Sequence, residues 1–274
     1  MKHSNAFTME HATILISLVC NLRCKLCSAF SPYHTDAKHP SEEYSKESLK
    51  RFFQIVSHVD KFTICGGEPL LYPYLAEILE FLHAYMPQIG LLEILTNGTI
   101  IPSTKLLDCM GRYEKDRFRV LVDDYGHDKS RRVNEIKEVL QKTGISHSIR
   151  NYKDENAHCG GWVDFGDLTE KKHDTQAQIE EKYSKCAYPN RLGFSFAIGP
   201  DGYMFPCGPA RRCWELGLVD NYSEYINLYD DALSVDDQRK KMQKVLQGNS
   251  LEACAYCNGM CEDSPRFLPA EQLD

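Results

Sequence analysis

The sequence has no apolar stretch of the length that a membrane-spanning helix needs, although the chain is 274 residues long. Its first residues, Met1-Lys2-His3-Ser4-Asn5, lack the apolar core of a signal peptide. Lysine and arginine do not gather into an extended run, and 39 acidic against 32 basic residues give a formal charge of −7. Duplex binding depends on clustered basic side chains. We therefore expect a cytoplasmic protein that binds neither a membrane nor a nucleic acid.

Cysteine, in contrast, is plentiful, with 12 residues in the chain. Disulfides are disfavoured in a reducing compartment, so metal binding and catalysis are the favoured roles. Cys20, Cys24 and Cys27 follow the apolar run 13–19, which is typical of a buried parallel strand. They therefore lie on a loop at the carboxyl end of a strand, the edge at which α/β proteins build their sites.

The C-x3-C-x2-C spacing supplies three thiolates, whereas an iron–sulfur cluster normally takes four. One iron of a [4Fe-4S] cluster would thus stay open for a small molecule. The spacing alone also allows a zinc site, but such sites use four ligands and no second pair lies near this loop. A second motif, Gly66-Gly67-Glu68-Pro69, follows the apolar strand 62–64. Glycines permit close backbone approach to a ligand, and a carboxylate accepts hydrogen bonds from an ammonium group.

The two motifs, in this order and each at a strand end, resemble the radical S-adenosylmethionine (SAM) superfamily. The resemblance implies that the open iron chelates SAM and that the reduced cluster cleaves it to a 5′-deoxyadenosyl radical, which abstracts a substrate hydrogen. It also implies that Gly66, Gly67, Glu68 and Pro69 grip the amino group of SAM, and that a flavodoxin- or ferredoxin-type protein donates the electron. Leu26 departs from the family pattern, in which the residue before the third cysteine is usually aromatic.

Strand and helix patterns alternate along residues 13–152, which predicts a parallel sheet with right-handed crossovers. The resemblance implies an α/β fold built on a partial (β/α)6 barrel that is open on one side. Thr96 and Asn97 follow the third predicted strand, and Asp123 and Asp124 follow the fourth. We expect Thr96, Asn97 and Asp123 to contribute to the SAM shell. The alternative for each is a turn residue hydrogen-bonded to its own backbone.

The last third of the sequence carries a second set of cysteines. Cys186, Gly202 and Cys207 form a C-x15-G-x4-C pattern, and Cys254 and Cys257 form a C-x2-C pair. The arrangement resembles the SPASM/twitch extension of radical SAM enzymes and implies an auxiliary [4Fe-4S] cluster held by these four cysteines. The final pair continues only as C-x2-C-x3-C, short of the two-cluster form, so one auxiliary cluster is expected. A structural zinc ion on the same thiolates is the alternative.

Turn residues predict a β-hairpin around residues 199–202, and capping residues predict a helix over residues 234–248. We therefore expect a barrel at residues 1–185 and a hairpin-plus-helix, SPASM/twitch-like domain at residues 186–274. The glycine-rich and aromatic segment 158–168 is typical either of an active-site loop or of a packed connector.

Cys213 and Cys261 have no predicted ligand role. A radical SAM epimerase must return a hydrogen to the opposite face of a carbon, and a thiol is a natural hydrogen-atom donor. Cys213 and Cys261 are therefore donor candidates, followed by Cys159 and Cys65. The alternative for each is a small core residue, which is what a free cysteine usually is.

A small polar substrate is the predicted class. The resemblance extends to aminoglycoside epimerases and aminocyclitol dehydrogenases, and the first predicted strand begins by residue 12, whereas peptide-modifying relatives commonly start with a recognition domain. The acids near strand ends, Asp123, Asp124, Asp164 and Asp167, suit a cationic or polyhydroxylated ligand. We predict a radical SAM oxidoreductase or epimerase that acts on a sugar, aminocyclitol or glycoside. The alternatives are a peptide-modifying enzyme and a non-catalytic iron–sulfur or zinc protein.

Overall fold

The computed structural model describes residues 6–154, 156–190 and 194–274. The strands in these ranges are β1 (Thr8–Ser17), β2 (His58–Gly66), β3 (Ile89–Thr96), β4 (Phe118–Asp124), β5 (His147–Asn151), β6 (Phe194–Ile198), β7 (Tyr203–Phe205) and β8 (Ile226–Asn227). They form one sheet in the order β5-β4-β3-β2-β1-β6-β7-β8. Pairing is parallel from β5 to β6 and antiparallel from β6 to β8.

The helices are α1 (Glu42–Ile55), α2 (Leu75–Leu82), α3 (Thr104–Met110), α4 (Val133–Lys142), α5 (Gln176–Lys185), α6 (Ala187–Asn190), α7 (Gly208–Glu215) and α8 (Val235–Leu246). Short 3-10 helices cover Ser31–Tyr33, Pro69–Leu71, His83–Gln88, His158–Gly160, Tyr222–Glu224 and Glu252–Ala255. Helix α2 ends at Leu82 and continues as a 3-10 helix that contains Pro87. No helix of the described residues combines the length and apolar character required to cross a bilayer.

The two faces of the parallel sheet differ in polarity. On the outer face, Ile14, Phe62 and Ile94 are buried in one apolar core with side chains of α1 to α4. Removal of this apolar area from water, at roughly 25 cal/mol per Å², drives the packing. Successive side chains of a strand point to opposite faces, so Thr63 and Glu93 lie on the inner face. That face is therefore polar where the outer one is apolar.

The predicted partial α/β barrel is confirmed as an open sheet, and its sixth parallel strand comes from the last third of the chain. β6 pairs with β1 on the edge opposite β2 and then turns back into β7. The predicted hairpin turn is present, since Gly199 N donates to Tyr203 O at 2.7 Å and Gly202 has a φ of +77°. The sheet thus crosses the boundary predicted at residue 185, and the division into two domains stays a prediction.

Candidate functional site

The cysteine loop leaves the carboxyl end of β1, as the sequence predicts. Two of its sulfur atoms accept hydrogen bonds: Leu22 N donates to Cys20 Sγ at 3.4 Å, and Gln272 Nε2 donates to Cys24 Sγ at 3.3 Å. Burial raises the pKa of Cys20 to about 12 and that of Cys24 to about 11. Metal ligands bind as thiolates, so assembly of a cluster here releases protons.

The Gly-Gly-Glu motif is fixed to the start of that loop. Gly67 N donates to Ser17 O at 2.8 Å, and Glu68 N donates to Val19 O at 3.0 Å. A Cβ atom at Gly66 would lie 2.2 Å from Ser17 O, and one at Gly67 would lie 2.1 Å from Val19 O. Real Cβ atoms do not approach that closely, so the backbone at the end of β1 and in the loop that follows requires both glycines. Contact of the glycines with SAM stays a prediction.

The Glu68 carboxylate is bound by donors of its own chain. It is 1% exposed and accepts hydrogen bonds from Thr96 Oγ1 at 2.8 Å, Asn97 N at 2.7 Å and Leu70 N at 3.0 Å. Burial raises the pKa of Glu68 to about 7, opposed by the hydrogen bonds from Asn97 and Leu70. Glu68 therefore ties the end of β3 to the turn after β2. Its predicted contact with the SAM ammonium group, like that of Pro69, remains untested.

Asn97 brings the third strand to the cysteine loop. Its Nδ2 lies 3.0 Å from Asn21 Oδ1 and 3.8 Å from Cys20 Sγ. The predicted residues Glu68, Thr96 and Asn97 therefore share one edge of the sheet with Cys20. Asn97 also acts as a turn residue, the alternative named above, because its Oδ1 accepts a hydrogen bond from the nearby backbone Thr99 N at 3.1 Å.

Asp123 lies across the same edge, on β4. Its carboxylate is 4% exposed and accepts from Arg150 Nε at 2.6 Å, Arg150 Nη2 at 2.8 Å and Tyr125 Oη at 2.9 Å. A bidentate pair of this kind fixes the orientation of both groups. Cys65 faces the same space, with Cys27, Asp123 and Arg150 as electrostatic neighbours, and burial raises its pKa to about 12.

Arg150 and a deeper polar row were absent from the sequence prediction. Thr63, Glu93 and Arg119 lie in register on β2, β3 and β4. Thr63 Oγ1 donates to Glu93 at 3.3 Å, Arg119 Nε donates to Glu93 at 3.0 Å, and His11 Nε2 lies 2.9 Å from Thr63 Oγ1. The signal was present, because a polar residue on a buried strand that alternates with apolar ones indicates a polar inner face.

The other acids of the sequence prediction are engaged locally. Asp124 pairs with Lys153 at 2.8 Å and accepts from Gly126 N. Asp164 and Asp167 accept backbone N–H groups two residues further on, at 2.8 Å each, as turn-forming aspartates do. Of the four acids, Asp123 alone combines deep burial with a position on the inner face.

The four cysteines of the predicted auxiliary site line one cavity between α5, α7 and the segment after α8. The cavity wall includes Cys186, Cys207, Cys254 and Cys257. Ala210 N, in the first turn of α7, donates to Cys207 Sγ at 3.4 Å, and Gly259 N donates to Cys257 Sγ at 3.2 Å.

The four thiols influence one another electrostatically. The pKa of Cys207 is raised by burial and by the proximity of Cys254, Cys257 and Cys186. Within the residues that the structure describes, no three His, Cys, Asp or Glu side chains converge on a position for a single metal ion.

The two predicted hydrogen-atom donors, Cys213 and Cys261, are not among the residues that line this cavity. Cys213 is 0% exposed in the apolar core and has Cys254 as an electrostatic neighbour. Cys261 is buried and its thiol donates to Lys182 O at 3.6 Å. Cys159 is exposed on the loop after β5. Their role as donors stays a prediction.

Part of the chain is similar in sequence to curated GTP 3',8-cyclases. The chain is 31% identical over 99 residues to a GTP 3',8-cyclase of Sulfurovum sp. (strain NBC37-1), covering 35% of this chain and 29% of that protein. It is 27% identical over 146 residues to a GTP 3',8-cyclase of Helicobacter pylori (strain HPAG1), covering 52% and 44%. The chain thus spans less than half the length of these curated relatives.

Among solved structures, BtrN in complex with AdoMet and 2-DOIA matches with a TM-score of 0.53 and 14% identity, covering 97% of this chain and 98% of that one. Native anSMEcpe with bound AdoMet and Cp18Cys peptide matches with a TM-score of 0.52 and 15% identity, covering 96% and 93%. At these identities the likeness is one of fold. A family model described as the Radical SAM superfamily matches residues 14–154, more than half of the 274 residues. The chain belongs to the radical SAM superfamily.

Proposed function

We propose that this chain is a radical SAM oxidoreductase or epimerase that acts on a C–H bond of a small polar substrate, such as a sugar, an aminocyclitol or a glycoside. A [4Fe-4S] cluster with SAM would supply the 5′-deoxyadenosyl radical, with the electron from a flavodoxin- or ferredoxin-type donor. The proposal rests on one observation. The polar, charged inner face of the sheet and the cysteine loop lie together at one edge of the sheet.

The residues present fit the first cluster. Cys20, Cys24 and Cys27 share one loop, and the sulfurs of Cys20 and Cys24 accept N–H hydrogen bonds as cluster thiolates do. Asn97 Nδ2 lies 3.8 Å from Cys20 Sγ, which places the end of β3 beside this loop. We assign Gly66, Gly67, Glu68 and Pro69, with Thr96 and Asn97, to positioning SAM.

The second cysteine set fits one auxiliary [4Fe-4S] cluster in a SPASM/twitch-like segment. Cys186, Cys207, Cys254 and Cys257 surround a cavity. A structural zinc ion on the same four thiolates is the alternative. Cys207 also caps the amino terminus of α7, where the helix dipole favours a thiolate.

The inner face supports a small polar substrate. Arg150 donates two hydrogen bonds to Asp123. The guanidinium has further N–H groups that can donate to a hydroxyl, phosphate or carboxylate of a substrate. The match to nearly the whole of BtrN, whose structure holds 2-DOIA, agrees with this size of ligand.

A peptide substrate is the second candidate. It is favoured by the match to anSMEcpe, whose structure holds a Cp18Cys peptide, at nearly the same TM-score. A panel of aminocyclitols, glycosides and short peptides, scored by substrate-dependent formation of 5′-deoxyadenosine under anaerobic conditions, separates the two. Turnover with peptides alone would contradict the small-substrate proposal.

If the reaction is an epimerisation, we propose Cys65 as the hydrogen-atom donor in place of Cys213 and Cys261. It faces the space that holds Cys27, Asp123 and Arg150, whereas Cys213 is enclosed in the core. Reaction in deuterated water should place one deuterium in the product. We expect Cys65→Ala to abolish this incorporation while 5′-deoxyadenosine still forms. Incorporation that persists in Cys65→Ala but is lost in Cys213→Ala or Cys261→Ala would restore the sequence-based assignment.

A further inference from the structure

The segment 266–274 lies against the cysteine loop, about 240 residues away in sequence. Lys25 N donates to Glu271 O at 2.7 Å, and Leu273 N donates to Arg23 O at 2.8 Å. Arg23 N in turn donates to Gln272 Oε1 at 2.7 Å. The loop that carries the three cysteines is therefore paired, through its own backbone, with this segment.

Gln272 also reaches a cluster ligand. Its Nε2 donates to Cys24 Sγ at 3.3 Å and to Ala270 O at 2.8 Å. Ala270 is 0% exposed and has a φ of +53°, a conformation that non-glycine residues adopt only when their surroundings enforce it. The amide is thus held at the sulfur by a buried, constrained turn.

The other end of the segment is hydrogen-bonded to the loop after β5. Trp162 N donates to Phe267 O at 3.0 Å, and Phe267 N donates to Trp162 O at 2.8 Å. A Cβ atom at Gly161 would lie 2.6 Å from Phe267 O, so this approach requires glycine. Trp162 packs edge-on against Tyr125, which donates to Asp123. The segment connects the cysteine loop with the inner-face pair.

We propose that segment 266–274 is a strap that holds the cysteine loop, and that Gln272 is a positioning residue that raises the reduction potential of the first cluster. Reduction adds negative charge to the cluster and its thiolates, so an N–H donor at Cys24 Sγ stabilises the reduced form more than the oxidised form. The inference rests on the first cluster of the proposed function but not on its substrate.

The test is a redox titration of the reconstituted enzyme without substrate, followed by electron paramagnetic resonance. The signal that changes on addition of SAM identifies the first cluster. Gln272→Leu removes the donor, and we expect about a tenfold fall in the ratio of reduced to oxidised cluster at a fixed potential, a midpoint lower by about 59 mV for one electron. Gln272→Glu keeps the shape and the acceptor for Arg23 N but places a charge at the sulfur, so its midpoint should be lower still.

The matched control is Glu271→Gln, which leaves the carbonyl to Lys25 N intact and removes an exposed ion pair of 3.8 Å. Its midpoint should equal that of the wild type. Loss of iron from the first cluster in both Gln272 variants, with full loading in Glu271→Gln, also supports the strap. Full loading with unchanged midpoints in both Gln272 variants overturns the inference. Absence of iron from the wild type would instead contradict the proposed function.

Discussion

At the scale of single residues, hydrogen bonding at sulfur separates two kinds of cysteine. Cys20 and Cys207 are examples of predicted ligands whose Sγ accepts an N–H bond. The thiols of Cys109 and Cys261 donate instead, to Glu80 and to a backbone carbonyl. Burial raises the pKa of Cys20 and Cys207 and the N–H bond to sulfur partly offsets that rise, whereas a thiol that donates is stabilised as S–H.

Replacement of Gly67 tests whether the motif glycines are needed for close packing of the backbone. Gly67→Ala places a methyl group 2.1 Å from Val19 O. We expect the free energy of unfolding of the apoprotein to fall by about 1–3 kcal/mol, measured by urea unfolding. Gly111→Ala is the control, because its φ is −66° and its nearest neighbour is 3.3 Å away. The control should stay within about 0.5 kcal/mol, and equal losses in the two variants would contradict the packing role.

Glu68 predicts a pH dependence of stability. Its pKa is raised from 4.5 to about 7 in the folded protein. Between these values the folded protein keeps a proton that the unfolded chain has lost, so the free energy of unfolding falls as pH rises. The stabilisation from this group is complete below pH 4.5 and is lost as pH rises through about 7.

Glu68→Gln removes that dependence. The excess stability of the wild type over the variant should therefore be larger at about pH 4.5 than at about pH 8 in urea unfolding of the apoprotein. The exposed Glu138→Gln variant should differ from the wild type by a constant amount. A wild-type advantage that grows with pH would show that the hydrogen bonds from Asn97 and Leu70 outweigh burial.

At the scale of secondary-structure elements, one ion pair ties β4 to the edge strand β5. Asp123 and Arg150 are register partners, with side chains 5% and 24% exposed. Removal of either partner leaves a poorly hydrated polar group, so Asp123→Asn and Arg150→Met should each cost about 2–3 kcal/mol. The double variant should lose less than the sum, with a coupling of about 1 kcal/mol or more.

A neighbouring and more exposed ion pair provides the control for this double-mutant cycle. Asp124 pairs with Lys153, whose side chain is 49% exposed. Asp124→Asn combined with Lys153→Met should give a coupling below about 1 kcal/mol. Equal couplings in the two cycles, measured by urea unfolding, would show that burial of Asp123 adds nothing to the pair.

At the scale of the whole molecule, one continuous sheet connects the first cysteine set with Cys207 of the second. The loop after β1 holds the first set, and β6, the neighbour of β1, leads through β7 to Cys207. The sheet therefore fixes the position of Cys207 relative to the cysteine loop. Electron transfer between two clusters would benefit from such a rigid support.

If the two proposed clusters are independent, the iron content of the variants should follow a simple pattern. The wild type should bind about eight irons per chain after anaerobic reconstitution, and Cys24→Ala or Cys254→Ala should each leave about four. Cys109→Ala removes a buried cysteine outside both sites and should keep all of them. Zinc in place of iron at the second site, or loss of all iron from Cys254→Ala, would contradict the assignment.

The family, the strand ends that carry the cysteines, and most of the α/β order could be predicted from the amino-acid sequence, because they follow from local spacing and periodicity. The turn at Gly199 to Gly202 is of this kind. The folded chain was needed to show which of the candidate acids lies on the inner face. It also revealed that Arg150 pairs with Asp123 and that Gln272 reaches Cys24. These contacts join residues distant in sequence, and their geometry depends on packing that no local pattern encodes.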